Sequence, residues 1–312
     1  MKKIFLAAIL LIFFGGWVKK PNNKKETSDI YQVNLAEVYY KNGNAKYDLQ
    51  DYEGAILDFS KVIELDSKYD SAYYSRGNAK YNLRDFEGAI LDYNKAIELN
   101  SKAYIYFNRG VAKYGLKDYK SSISDFDKAI ELDPNYTNAY IFRGFIKIDL
   151  KQYEEASLDF DKAIELNPED AIAYYDRGIA RYKLNNYKGA ASDFNKAIEL
   201  DPEYIEAYIF RGITKIGLKQ YEEAIVDYDK AILLNPMNAE AYYNRGNIKA
   251  ELRKYKEAIA DYDKAIKLNP EFTEAYYNRG SVKHIIKNYT GATLDYNKAI
   301  NLNPELKNQV RK

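Results

Sequence analysis

From residue 36 onward, apolar and small residues recur at three- and four-residue spacing in two short runs, and the whole arrangement returns every 34 residues. One unit reads Ala241, Tyr242, Arg245, Gly246, Lys249 and Leu252, then Tyr255, Ala258, Ile259, Tyr262, Ala265 and Leu268, then Asn269-Pro270. This is the helical period, so each unit predicts two helices of about a dozen residues, divided near Arg253-Lys254. Asn-Pro or Asp-Pro ends the second helix, because the residue before proline resists the helical region. Pro134, Pro168, Pro202, Pro236, Pro270 and Pro304 mark that stop. Arg-Gly pairs keep the register at Arg76-Gly77, Arg109-Gly110, Arg143-Gly144, Arg177-Gly178, Arg211-Gly212, Arg245-Gly246 and Arg279-Gly280, preceded by Asn42-Gly43. One interval is 33 residues and falls around Ser101-Ala103, where it is expected to adjust one stacking angle and leave the helices intact.

Self-similarity at this period predicts a solenoid, in which each unit buries its apolar face by stacking on its neighbours. The pattern Tyr-x2-Arg-Gly-x2-Lys followed by Ala-x3-aromatic-x2-Ala-x4-Pro closely resembles the tetratricopeptide repeat. The resemblance covers eight repeats, at 36–69, 70–102, 103–136, 137–170, 171–204, 205–238, 239–272 and 273–306. It implies an all-α fold, a right-handed α-solenoid of antiparallel helix hairpins. Two departures stand out: Arg245 and Lys249 occupy positions where the family often has Leu and an aromatic, and Ser67 and Ser101 replace the proline of the first two repeats. Residues 307–312 follow the last repeat, and Leu306 with Val310 one turn on is expected to cap it only partly, leaving the end repeat open to self-association.

Ahead of the repeats, Lys2 and Lys3 precede fifteen apolar residues, Ile4 to Val18, and a basic polar stretch follows. As a helix that apolar run spans about 22 Å, short of the ~30 Å hydrocarbon core of a bilayer. Residues 1–20 are expected to be a signal peptide or membrane anchor, with 21–35 a polar linker and the start of the first helix. Two destinations stay open: export to the periplasm, cell envelope or medium after cleavage, and anchoring through residues 4–18. Phe14-Gly15-Gly16 in place of a small-x-small site, and Lys19, Lys20, Lys24 and Lys25 downstream, keep the second open. Contact with a membrane is expected only through this segment.

Composition narrows the chemistry. Forty-seven Lys and Arg balance 46 Asp and Glu in 312 residues, so no global field attracts nucleic acid. With no Cys and the single histidine His284, the chain lacks the means for a disulfide, a thiolate nucleophile or a Cys- or His-based metal centre. No strand or nucleophile elbow precedes any Ser, and no phosphate-cradling Gly loop occurs. No catalytic, cofactor or metal site is expected, and the chain reads as a non-enzyme. Asp125-x-Asp127 and its echoes read as a solvated helix surface, because no calcium-loop pattern surrounds them. Arg245 and Asp261 lie equally far from the hinge on antiparallel helices, and Lys249 follows Arg245 by one turn. This register predicts an Arg-Asp-Lys ladder inside each hairpin, running from Asp58 through Asp92, Asp125, Asp159, Asp193, Asp227 and Asp261 to Asp295.

Thirty-three tyrosines form two classes. Tyr39, Tyr73, Tyr106, Tyr140, Tyr174, Tyr208, Tyr242 and Tyr276 keep step with the small packing residues and are expected in the core. The residues further round the first helix form another face, which in proteins of the resembled family lines a concave peptide-binding groove. Candidate groove residues are Tyr74, Asn78, Phe107, Ile141, Phe142, Phe145, Ile148, Tyr175, Ile209, Phe210, Ile213, Ile216, Tyr243 and Asn247. The ends of this series are Tyr-Asn polar and the middle is apolar. The family's Lys-Asn-Arg carboxylate clamp is not matched, which disfavours capture of chaperone tails. The expected function is a scaffold binding a peptide or helical segment of a protein partner, with glycan or cell-wall binding through the Tyr-Asn ends as the alternative. Packing of the same residues against neighbouring first helices is the competing use of this face.

Overall fold

The computed structural model describes residues 24–306, and side chains from Gln32 onward. The signal or anchor expected over 1–20, and Val310, lie outside the described residues. Every described element is helical, and the chain forms two compact units divided after Leu132. The first unit holds α1 (Lys24–Asp48), α2 (Tyr52–Leu65), α3 (Asp70–Asn82), α4 (Phe86–Leu99), α5 (Ala103–Gly115) and α6 (Tyr119–Leu132). The second holds α7 (Thr137–Asp149), α8 (Tyr153–Leu166), α9 (Ala171–Lys183), α10 (Tyr187–Leu200), α11 (Ile205–Gly217), α12 (Tyr221–Leu234), α13 (Ala239–Glu251), α14 (Tyr255–Leu268), α15 (Thr273–Ile285) and α16 (Tyr289–Leu302). A short 3-10 turn, Pro304–Leu306, packs on α16. Within each unit consecutive helices pair as antiparallel hairpins, and each hairpin stacks on the next. None of the described helices is long and apolar enough to cross a membrane.

Local chemistry explains the hairpins. The hinge residue takes a left-handed conformation in every repeat, from Gln50 at φ 63° to Arg253 at 59° and Lys287 at 64°. A single left-handed residue reverses the chain after the first helix. Several second helices then start from a side-chain cap: Asp51 and Asp85 each accept a bond at 2.9 Å from the amide three residues on, whereas Gln152, Gln220 and Lys254 make no such bond. Ala89, Ala96, Ala156 and Ala163 are fully buried where helices approach closely. Between them sit the second-helix aromatics, Phe59, Tyr93 and Phe126 in the first unit and Phe160, Phe194, Tyr228 and Tyr262 in the second, all buried. Gly77 shows why the Arg-Gly pair carries glycine: a Cβ there would lie 2.7 Å from the Tyr93 ring.

Three details differ from expectation or refine it. The first helix starts at Lys24, so the stretch read as linker is helical from there. The shortened interval falls at residues 100–102, between α4 and α5, and both helices keep their usual lengths. The first tyrosine column is not uniformly core. Tyr140 and Tyr208 are buried and the others half-buried, and from Tyr73 to Tyr276 each ring lies under the arginine three residues on, at guanidinium-to-ring distances of 5.2–5.7 Å, while Tyr39 has Asn42 in that place.

Candidate functional site

The ion-pair ladder is present in each described hairpin from α3 onward, whereas in the first, where Asn42 stands in place of the arginine, Lys46 alone meets Asp58 at 2.7 Å. In the first unit Arg76 and Lys80 meet Asp92 at 2.6 and 2.8 Å, and Arg109 and Lys113 meet Asp125 at 2.5 and 2.7 Å. In the second unit Arg177 and Arg181 share Asp193 at 2.6 and 2.9 Å, and Arg245 and Lys249 share Asp261 at 2.6 and 2.8 Å. The aspartates are buried, so each carboxylate needs both cations to offset its lost hydration. The arginine also makes a contact that the register did not predict. Its remaining nitrogen reaches the second helix of the preceding repeat: Arg76 donates to Ser60, Arg109 to Asn94, Arg177 to Asp161, Arg245 to Asp229 and Arg279 to Asp263. The Asp-x-Asp motif, read as solvated surface, therefore supplies two residues with different jobs. The first aspartate closes its own hairpin, and the second residue, Asp or Asn or Ser, ties the next repeat to it. The signal was in the sequence as a polar residue two places after every ladder aspartate. Arginine in place of lysine matters here, because only a guanidinium presents donors in both directions.

The Tyr-Asn parts of the first-helix face form closed hydrogen-bond networks. In the first unit Tyr93 donates to Asn78 at 2.7 Å, while Asn108 donates to Tyr74 at 2.7 Å and to Asn78 at 3.2 Å. The second unit repeats this at its far end: Tyr262 donates to Asn247 at 2.8 Å, and Asn278 to Tyr243 at 3.0 Å and Asn247 at 2.9 Å. A pairing rule follows. Where the first helix carries Asn or Ser, the second carries a tyrosine whose hydroxyl reaches it, as Tyr296 reaches Ser281. Where the first helix carries Val111, Phe145 or Ile179, the second carries Phe126, Phe160 or Phe194, which need no partner. Asn44 opposite Phe59 and Ile213 opposite Tyr228 depart from the rule, and the Tyr228 hydroxyl is buried without a hydrogen-bond partner. Burial pushes its pKa well above the usual phenol range.

The middle of the face is apolar and lies in the second unit. Phe142, Phe145, Ile148, Phe210, Ile213 and Ile216 are each half-buried. The rings of Phe142 and Phe145 lie 5.8 Å apart, and Phe145 packs on Phe160 at 5.9 Å. Phe210 reaches back to the preceding repeat, 5.7 Å from Tyr175 and 6.1 Å from Phe194. Ile213 and Ile216 pack on the cluster of Tyr208, Ile209 and Tyr228. Three candidate groove residues, Phe107, Ile141 and Ile209, are buried at 9, 7 and 8 % exposure. Their own neighbours cover them, so they support the face and do not present it. Tyr74, Asn78, Tyr175, Tyr243 and Asn247 are half-buried; Tyr74, Asn78, Tyr243 and Asn247 are engaged in the networks above, and Tyr175 packs its ring on Phe194, Tyr204 and Phe210. Among the described residues no group of three or more His, Asp or Glu side chains is placed to hold a metal ion.

Tetratricopeptide repeat models match residues 71–102, 103–136 and 239–272, and further models of the same repeat match 43–83, 145–212, 218–252 and 273–306. Together these spans cover most of the chain. It is a tetratricopeptide repeat protein. Among curated proteins none matches this tetratricopeptide chain. Solved structures do. One is YrrB, described as a TPR protein with an unusual peptide-binding site, 28% identical over 60% of this chain and 97% of its own, with a TM-score of 0.54. The C-terminal part of a TPR repeat-containing protein from Cytophaga hutchinsonii shares the fold at 19% identity, covering 76% of this chain and 97% of its own, TM-score 0.65. A tetratricopeptide repeat protein from Parabacteroides merdae does so at 20%, covering 83% and 99%, TM-score 0.59. Tetratricopeptide repeat proteins are generally non-enzymatic interaction scaffolds that bind protein or peptide partners.

Proposed function

We propose that this protein holds a peptide or helical segment of a protein partner against the apolar first-helix face of its second unit. The observation that carries the reading is the set of six half-buried large apolar side chains on α7 and α11, Phe142, Phe145, Ile148, Phe210, Ile213 and Ile216. Each leaves hydrocarbon facing water, and covering it returns about 25 cal/mol per Å². Large side chains already half-fixed by their neighbours lose little entropy on binding, which is how groove anchors gain affinity. The likeness to a TPR protein described as having a peptide-binding site supports the same class of partner. Glycan binding is the less favoured reading, because the Tyr and Asn groups it needs as sugar donors and acceptors bond to one another.

The test uses short peptides selected on the full chain from a displayed random library. Phe145→Ser combined with Ile213→Ser is expected to weaken binding of the selected peptides at least about tenfold, roughly 1.4 kcal/mol, with a small change in melting temperature. Unchanged affinity in the double variant contradicts the reading. A melting temperature lowered by many degrees assigns the face to internal packing instead.

A further inference from the structure

First helices carry a bridging residue one place beyond the face, and it meets the preceding repeat. Asn108 donates to Tyr74 and Asn78, Asn278 donates to Tyr243 and Asn247, and Phe210 stacks on Tyr175 and Phe194. In all three cases the bridging residue matches what it meets, amide to amide and hydroxyl, ring to ring. Asp176 holds this position on α9, where the corresponding residues of the preceding repeat are Ile141 and Phe145. The match fails there. Asp176 is 7 % exposed, and its Oδ2 is buried with no hydrogen-bond partner. The adjacent Arg177 is committed to Asp161 and Asp193.

A carboxylate in such surroundings loses hydration with nothing returned by folding. Other repeats carry Lys, Asn, Ser or Phe at this position, and Asp176 is the one acid in the column. What an acid adds is an acceptor for positive charge. Rings stand beside it: Tyr175 lies 4.8 Å from Tyr204 and 5.7 Å from Phe210, and ring faces attract ammonium and guanidinium groups. The other charged groups acting on Asp176 and these tyrosines are Asp170 at the start of α9, Asp201 just after α10 and Glu206 near the start of α11, all acidic.

We infer that Asp176 is where a lysine or arginine side chain of the bound segment docks, its charge on the carboxylate and its aliphatic stem against the apolar face. The inference rests on the proposed peptide binding and gives that segment its chemistry: a basic residue flanked by apolar ones. Burial, with Asp170 nearby, pushes the Asp176 carboxyl up to about 8, so it holds a proton at pH 7. A docking cation displaces that proton. Binding at pH 7 therefore releases a proton, and above about pH 9, where the carboxyl is already ionised, it does not.

The experiment selects short peptides from a displayed random library on the full chain, then titrates them calorimetrically in two buffers of different ionisation enthalpy. The expected peptides carry Lys or Arg. Replacing that residue by norleucine weakens binding to the wild type at least tenfold, with no such effect on Asp176→Asn or on Asp176→Phe, which copies Phe142 and Phe210. Proton release at pH 7 is expected in the wild type and absent in both variants. Peptides without a basic residue, or a basic residue whose loss costs the variants as much as the wild type, overturn the Asp176 assignment and leave peptide binding standing. A library that yields no binder overturns both.

Discussion

At the scale of single residues, the ladder makes each aspartate the hub of two cations, so its removal leaves more behind than it takes away. Asp193→Ala strands Arg177 and Arg181, which donate to it at 2.6 and 2.9 Å. The expected cost is about 1–3 kcal/mol. Arg177→Leu combined with Asp193→Ala should cost less than the two single changes summed, because the pair is coupled. Urea unfolding of the three variants measures it, and strict additivity contradicts the partnership. The same logic gives opposite signs to one substitution at equivalent positions. Tyr262→Phe removes a hydroxyl that bonds Asn247 and should lose about 1 kcal/mol. Tyr228→Phe removes a buried hydroxyl with no partner and should gain about as much. Equal losses at both sites would mean that Tyr228 has a partner in solution.

At the scale of the helix and its turns, the hinge is the strained element. Eight non-glycine residues take left-handed φ between 59 and 64°, a region that costs L-residues roughly 1 kcal/mol or more and glycine little. Arg253→Gly is expected to raise stability by up to about 1 kcal/mol, partly offset by the freer unfolded chain, and thermal unfolding reads the shift. A clear loss would show that the Arg253 side chain contributes more than its backbone costs. Helix spans, hinges and the Arg-Asp-Lys pairs were legible in the sequence because each follows from counting residues about a helix axis. For the reach of Arg76 to Ser60 or Arg177 to Asp161 the sequence showed the recurring polar residue but not its partner, since that depends on how one hairpin settles against another. Nor does periodicity tell half-buried from buried: Ile141 and Ile209 share a face with Ile148 and Ile216, but neighbouring side chains cover the first two.

At the scale of the whole molecule, uniformity and departure carry separate meanings. The Arg-Gly pair, the ladder aspartate and the buried alanines recur because every hairpin must close and stack, so they belong to the tetratricopeptide fold. The alternation of Tyr-Asn networks with an apolar face and one unmatched acid does not follow from stacking, and selectivity for a partner can reside there. The most direct measurement is isoleucine-methyl NMR of the full chain titrated with a peptide selected on it. The account predicts saturable shifts at Ile148, Ile213 and Ile216 of the first helices, with Ile198 and Ile232 of the second helices unmoved. Shifts centred on Ile198 and Ile232, or a bound peptide that leaves Ile148, Ile213 and Ile216 unmoved, would contradict it.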